Sequence, residues 1–504
     1  MLVAVASARI IATYHVFNFV TDEPAHIACG MEWLDRGTYQ YEDEQPPLAR
    51  IAAASLLRLT GVHSQGQPSM MAEGVTILRS GSGYDRNLSL ARLGTLPFFW
   101  IACAAAFLWA EHALGRLTAL WSLFFLTNLQ PVLAHAGLAT TDMALAALLT
   151  STILMTVLWF ERPTVGWSVL LGLSGGCAGL SKFSSLPFFV AAIATAAGWL
   201  VIAQPRRLRA VRGRHVVTLL FALALAAMVI WAGYRFSFGT VHGMRPLRPA
   251  PEFFGGLKTV RWHNRNGHLS YLLGNFSERG FRWYYPVALG VKSPAPFLML
   301  FAAGAVVCMW RWREWRYTLP LASGLGMVAA ALAFGHVNIG VRHVLPVYVA
   351  MSIVAGIGAS WCASSARKSV VLVALLAWLV VGGIAAHPDY LSYFNELAGS
   401  HPERILIDSD LDWGQDAKRL ERRLRELKAE SVALLPMAWV PDYPRVTQFS
   451  LEQPSPGWNA AHVTALTLLR HRVEGTGPKR TFWVDRQAPT ERIGRGILLW
   501  HIPE

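Results

Sequence analysis

Charge is scarce in this chain. Asp, Glu, Lys and Arg make up 15% of its 504 residues, against 53% hydrophobic residues. Soluble domains carry roughly a quarter charged residues, so a water-soluble class is excluded. Acids are scarcer than bases, 31 against 45, which leaves a formal net charge of +14. That excess does not point to nucleic acid, because membrane proteins gather their basic residues in the loops of one side. Cysteine is also rare, with five residues in all. Cys103, Cys177, Cys308 and Cys362 fall within or at the edge of apolar runs, where a thiol acts as a small hydrophobe. Cys29 reads as a lone loop cysteine, so no disulfide framework is expected. Internal repeats and long low-complexity tracts are absent. The first segment lacks the basic leader of a secretory signal and is expected to stay as a span.

Long apolar runs are present in abundance. Windows of span length lie near residues 1–20, 90–110, 117–134, 141–160, 166–181, 184–203, 216–234, 287–310, 317–335, 343–362 and 369–386. They predict a mainly α, polytopic helical membrane protein of about eleven spans. The run 166–201 is too long for one helix, and Ser181-Lys182 divides it. With the N-terminus inside, the cytoplasmic connections are 111–116, 161–163, 204–214, 311–316 and 364–368. Three of them, QPRRLRAVRGR, RWREWR and SSARK, are densely basic, as that orientation requires. Residues 21–88, 235–286 and the tail from 387 are then outside. We expect a transmembrane domain over 1–386 and a small extracytoplasmic α/β domain over 387–504. In the tail, ERILIDSD reads as a strand, 415–430 as an amphipathic helix with Leu420, Leu424 and Leu427 on one face, and SVALLPMAW as a second strand.

Ionisable groups beside hydrocarbon are costly, so their presence there raises a functional question. Asp22 and Glu23 follow the first span as a tandem carboxylate, fit for a general base or for anchoring a divalent cation. The same residues, with Thr21 and Pro24, also suit a capped helix start. His26, four positions after Asp22, shares its helix face. Glu44 stands before Pro46 and Pro47, whose rings stiffen the chain ahead of a new helix, and Arg50 follows. Asp142 opens a later span behind Thr140 and Thr141. Lys182 lies between two spans on the outer side, against the inside bias for positive charge. Arg342 and His343 precede the tenth span, and an arginine fork suits a phosphate. Acids 22, 23, 44 and 142 and cations 50, 182 and 342 all map to one membrane face, although the topology rests on residues of the opposite face. Acids and phosphate-binding cations together suit transfer of a group from a phosphate-linked lipid.

These motifs resemble a family. Asp-Glu after the first span, E-x-PPL-x-R, and Thr-Asp opening a later span are similar to glycosyltransferase family 39. That family holds the protein O-mannosyltransferases and bacterial relatives such as the lipid A aminoarabinose transferases. DEPAHIACG, GLSKFSSLPFF, NIGVRHVLPVY and YFNELAG…DSDLDWGQD look most like bacterial phospholipid-carrier-dependent members. The resemblance covers residues 1 to about 420. It implies a GT-C fold in a bacterial inner membrane and an inverting single displacement on the outer face. The sugar would pass from a polyprenyl-phosphate donor to a glycan, lipid or protein acceptor, with membrane lipid and no nucleic acid as surroundings. It makes Asp22 the leading general base, with Glu23, Glu44 and Asp142 around it, and His26, Pro46 and Pro47 in support. Arg50, Lys182, Arg342 and His343 would receive the carrier phosphate. A divalent metal, if used, would sit on Asp22, Glu44 and Asp142. Gln45 replaces the His of the mannosyltransferases and the Lys of the aminoarabinose transferases, which leaves the sugar open. The other readings of the residues are a transporter or flippase of a lipid-linked sugar and a membrane-anchored scaffold. A transporter usually carries its polar site near the midplane between repeated halves.

Overall fold

The computed structural model describes residues 1–81, 83–205, 213–241, 244–437, 445–475 and 480–503. The chain is a multi-pass membrane protein. Six described helices are long and apolar enough to cross a bilayer: Tyr84–Leu114, Asp142–Glu161, Ser185–Ala203, Gly213–Gly233, Val341–Cys362 and Ala366–Ala385. Two bent pairs raise the number to eight: Arg116–Leu126 with Gln130–Ala136, bent by 68°, and Tyr284–Lys292 with Ala295–Trp310, bent by 117°. The expected eleven is not reached on these criteria. The first window yields only the 11-residue helix Leu2–Ala12, and the window at 166–181 yields the 17-residue helix Val165–Ser181. Both bends fall beside prolines, Pro131 and Pro294, which free a backbone carbonyl and break the ladder. Lys182 does sit at the break between Val165–Ser181 and Ser185–Ala203. Most of the basic connection 204–214 lies outside the described residues.

Burial sorts the spans into two groups. Val341–Cys362 is 89% buried and Asp142–Glu161 72%, whereas Ser185–Ala203, Gly213–Gly233 and Ala366–Ala385 reach at most 17%. The first two therefore form the centre of the bundle, and the other three face lipid. Close approach of the central helices depends on small residues. A Cβ on Gly304 would lie 1.8 Å from the Val354 carbonyl oxygen, so no larger residue fits that crossing. Arg9, awkward in an apolar helix, faces protein: it donates to the Tyr390 hydroxyl (3.0 Å), Asn128 Oδ1 (3.0 Å) and the Gly383 carbonyl (3.2 Å). All five cysteines are free, and Cys29 is buried on the helix Glu23–Arg36, not in a loop.

The outer segments are compact. Residues 21–81 form the helices Glu23–Arg36, Pro47–Leu59 and Met70–Arg79. The second outer segment carries two antiparallel hairpins and the helix Pro251–Asn266. The hairpins are β1 (Phe238–Val241) with β2 (Met244–Pro249), and β3 (Ser270–Leu272) with β4 (Asn275–Ser277). The tail builds a five-stranded sheet from β5 (Ser431–Leu435), β6 (Arg445–Gln448), β7 (Gly457–His462), β8 (Glu491–Ile493) and β9 (Ile497–Ile502). Its order is β6-β5-β7-β9-β8; β5 is parallel to β6 and β7, and β9 antiparallel to β7 and β8. The helix Ala417–Glu426 covers one face through Leu420 and Leu424, with Leu427 packed beside them. The expected strand at 403–410 does not form. That segment makes 3-10 turns, Pro402–Arg404 and Asp408–Asp410, because nearby groups take its backbone donors. Asp408 N–H donates to Thr464 Oγ1 (2.9 Å) and Ser409 N–H to Asp408 Oδ1 (2.6 Å), so short polar side chains displace a ladder.

A buried ion pair fixes the end of the bundle that carries Asp22 and Asp142. Glu23 is fully buried and accepts from Nε and Nη2 of Arg92, each at 2.8 Å, and from the N–H groups of Val20 and Ala139, each at 2.9 Å. Removing one partner of such a pair strands a buried charge, at a typical cost of about 3–5 kcal/mol. Arg92→Met is expected to lower unfolding stability in detergent by about that amount. An unchanged unfolding transition would remove the pair from its anchoring role.

Candidate active site

Four of the expected residues meet at the N-terminal ends of the two central spans. Asp142 is the first residue of its helix, and Lys182 Nζ donates to Asp142 Oδ1 at 2.6 Å. Arg342, in the 3-10 turn Val341–Val344 that leads into the other central span, donates from Nη1 to Asp22 Oδ2 at 2.7 Å. The same Nη1 lies 3.9 Å from Asp142 Oδ2, so Lys182, Asp142, Arg342 and Asp22 form one chain of alternating charge. Exposure separates the two acids: the Asp142 side chain is 1% exposed, that of Asp22 35%. Of these two, Asp22 is the carboxylate an incoming molecule reaches. Burial pushes its pKa up, but Arg342 outweighs this and holds it below the usual aspartate range.

The turn carrying Arg342 is set by the tail. Val341 N–H donates to Asp410 Oδ1 (3.0 Å), and Arg342 lies over the Trp413 ring at 4.1 Å. Gly340 is required by contact: a Cβ there would stand 2.1 Å from Ser409 Oγ, whose hydroxyl bonds the Ile339 carbonyl. Asp408, at φ +60°, is coupled electrostatically to Arg342 and Asp22. Burial, opposed by Arg342 and aided by Asp22, pushes its pKa up to about 7.

Three nitrogens here are buried with no hydrogen-bond partner among the described residues: Arg342 Nε, His343 Nε2 and His135 Nδ1. His135 and His343 both couple to the charge of Asp142. Unmade buried polar groups are rare and call for a partner. Donors and imidazoles grouped around Lys182 and Arg342 suit an oxygen-rich anion.

Glu23, Arg50 and Glu44 lie outside the charged chain. Glu23 is committed to Arg92. Adjacent in sequence to Asp22, it points inward and has no share in the charged chain. Arg50 is 1% exposed and fully engaged: Nε donates to His26 Nδ1 (3.2 Å), and Nη1 to Tyr39 OH (3.0 Å) and the carbonyls of Glu42 and Gln45 (each 3.1 Å). With an ion pair to the Glu42 carboxylate as well, it builds the loop before Pro46 and Pro47. His26 is held neutral as the acceptor of Arg50; burial, then Arg50, pushes its pKa down to about 3. Glu44 sits apart, against His263 Nδ1 of the second outer segment at 3.1 and 3.2 Å. Asp22, Glu44 and Asp142 therefore do not converge. No group of three His, Cys, Asp or Glu suited to a metal occurs among the described residues, so the residues do not fit the metal site considered for them. His135, Asp408 and Trp413 were not singled out in the sequence. The acid-rich run DSDLDWGQD was the available signal, and AHA within an apolar window gave none.

Span architecture, outer helices and tail together define a GT-C membrane fold. Among solved structures, ArnT from Cupriavidus metallidurans bound to undecaprenyl phosphate matches with TM-score 0.53 and 16% identity, over 80% of this chain and 67% of that one. Its apo state matches with TM-score 0.52 and 16% identity, over 80% and 66%. The Archaeoglobus fulgidus oligosaccharyltransferase in complex with Zn and sulfate gives TM-score 0.49 and 12% identity, over 90% and 59%. The chain thus spans about two thirds of the length of ArnT. No protein-family model and no curated protein matches it.

The raised pKa of Asp408 carries a sign. The native state keeps a proton that an unfolded aspartate has lost between about pH 4 and pH 7, so stability falls as pH rises through that window. Asp408→Asn is neutral throughout and also suits φ +60°. Its thermal midpoint is expected to gain more over wild type at about pH 8 than at about pH 4. Equal gains at both would mean that Asp408 titrates normally.

Proposed function

We propose that this protein is a glycosyltransferase that moves a sugar from a polyprenyl-phosphate carrier to an acceptor hydroxyl. The observation that carries the reading is the charged chain at the bundle's end. An accessible carboxylate, Asp22, stands against two nearly buried cations, Arg342 and Lys182, beside nitrogens that lack partners. The fold supports it, since ArnT from Cupriavidus metallidurans, of like fold, was solved bound to undecaprenyl phosphate. We place the reaction on the face opposite the connections 311–316 and 364–368, hence extracytoplasmic in a bacterial inner membrane.

The chemistry follows from the charges. The acceptor O–H gives its proton to Asp22 as its oxygen bonds the anomeric carbon. The bond from that carbon to the phosphate oxygen breaks, and its electron pair stays on the phosphate. Attack opposite the leaving group inverts the anomeric centre. Charge therefore grows on the phosphate, where Lys182 and Arg342 are placed to stabilise it. Asp142 keeps both cations oriented. An aspartate paired to arginine is a weak base, and this pairing has a use. A donor phosphate competes for Arg342, and as that guanidinium turns to it the Asp22 carboxylate loses its stabilising partner and becomes more basic.

Purified protein supplied with polyprenyl-phosphate sugars is expected to lose about 10²- to 10⁴-fold in turnover on Asp22→Asn. The acid limb of kcat should lie at higher pH than that of kcat/KM, because the donor-bound state frees Asp22 from Arg342. Undiminished turnover of Asp22→Asn would end its role as base. Movement of the intact carrier without sugar transfer would favour a flippase.

A further inference from the structure

A groove of about 870 Å³ opens beside the outer end of the Tyr84–Leu114 span, where the helix Ala417–Glu426 passes over it. It lies outside the charged chain of Asp22, Arg342, Asp142 and Lys182, none of which lines it. Tyr84 and Leu90 form an apolar wall, and Asn18 lies at the floor. Asn18 is fully buried, and three of its polar groups are satisfied. Its Oδ1 accepts from the Tyr84 hydroxyl, its carbonyl from Arg92 (2.8 Å), and its N–H donates to the Gln415 carbonyl (2.9 Å). Its Nδ2 alone has no partner among the described residues. A buried amide donor left unmade is costly, so one lining a groove marks a place for an acceptor oxygen.

The rim carries positive charge. Arg79, Arg86 and Lys418 line the groove with two carboxylates, Asp85 and Glu421. Both carboxylates have cation partners: Lys418 Nζ donates to Asp85 at 2.6 Å and Arg425 Nη2 to Glu421 at 2.8 Å. Arg79 and Arg86 are exposed at the mouth. The mouth sits at the terminus of a membrane span, the level of lipid headgroups, and below it the same span shows Trp100 and Ile101 outward. A cationic rim, a buried donor at the floor and a lipid-facing helix beneath are the three requirements of a bound anionic amphiphile.

We propose that this groove binds the phosphate-bearing headgroup of an anionic phospholipid, at a site separate from the one that takes the sugar donor. The phosphate lies among Arg86, Arg79 and Lys418, an oxygen of the headgroup reaches Asn18 Nδ2, and the acyl chains run down the Tyr84–Leu114 span. Lys418 belongs to the tail and Arg86 to the bundle, so one lipid holds the two together across their seam.

The test is native mass spectrometry of the full-length protein in detergent, titrated with dioleoyl phosphatidylglycerol or dioleoyl phosphatidylcholine. Wild type is expected to bind the anionic lipid about tenfold more tightly. Arg86→Gln, which removes an exposed charge, and Ser89→Trp, which fills the groove and leaves the charge unchanged, are each expected to erase that preference. Equal binding of the two lipids by wild type would overturn the proposal, as would a preference kept by both variants. Excess inorganic phosphate is expected to leave the lipid bound; displacement would overturn the lipid in favour of a free-phosphate site. The readout needs no turnover, so its outcome is independent of the glycosyltransferase reading.

Discussion

Glu23 accepts hydrogen bonds from Arg92 and from the N–H groups of Val20 and Ala139, and through these it joins three parts of the chain. Val20 lies two residues before Asp22, and Ala139 three before Asp142. The two carboxylates of the charged chain are thus held from the same buried acid, which touches neither. Low-dielectric surroundings make such an arrangement rigid, because every donor moved away from Glu23 would leave charge unbalanced in the interior. The accessible pair between Asp22 and Arg342 rests on this floor, and its geometry follows from a residue with no contact to any substrate.

A second support comes from the opposite side. The segment 408–416 runs between bundle and sheet and bonds to both. Toward the bundle, Asn18 N–H donates to the Gln415 carbonyl and Thr21 N–H to that of Trp413. Toward the sheet, Asp412 pairs with His462 at 2.8 Å and accepts from Thr464 N–H, while Asp416 accepts from Gly496 N–H at 3.1 Å. Its acids differ in purpose. Asp410 and Asp412 spend their oxygens on neighbours, whereas Asp408 adds a proton-holding group next to Arg342.

Much of the charged end of the bundle was legible in the chain, for a physical reason. A charge at a span terminus has few uses in the bilayer, so Asp142, Lys182 and Arg342 stood out once the helices were placed. Adjacency misled elsewhere. Successive helical residues point about 100° apart, so Asp22 faces the opening while Glu23, one step on, faces the core. Arg50 looked available because nothing in the sequence shows that Tyr39, Glu42 and Gln45 fold back over it. The strand reading of 403–410 rested on the short run Ile405-Leu406-Ile407, and side-chain competition for the backbone is invisible in such a run. Trp413 and His135 were hidden for a similar reason: their value lies in contacts with residues far away in the chain.

The indole of Trp413 beneath Arg342 also ties the tail to the bundle. The tail supplies the surface against which the bundle's arginine is held, and the bundle supplies the amides that hold the tail's loop. A change in either half alters the electrostatic setting of the other. The two parts therefore share one electrostatic centre, joined through the segment 408–416.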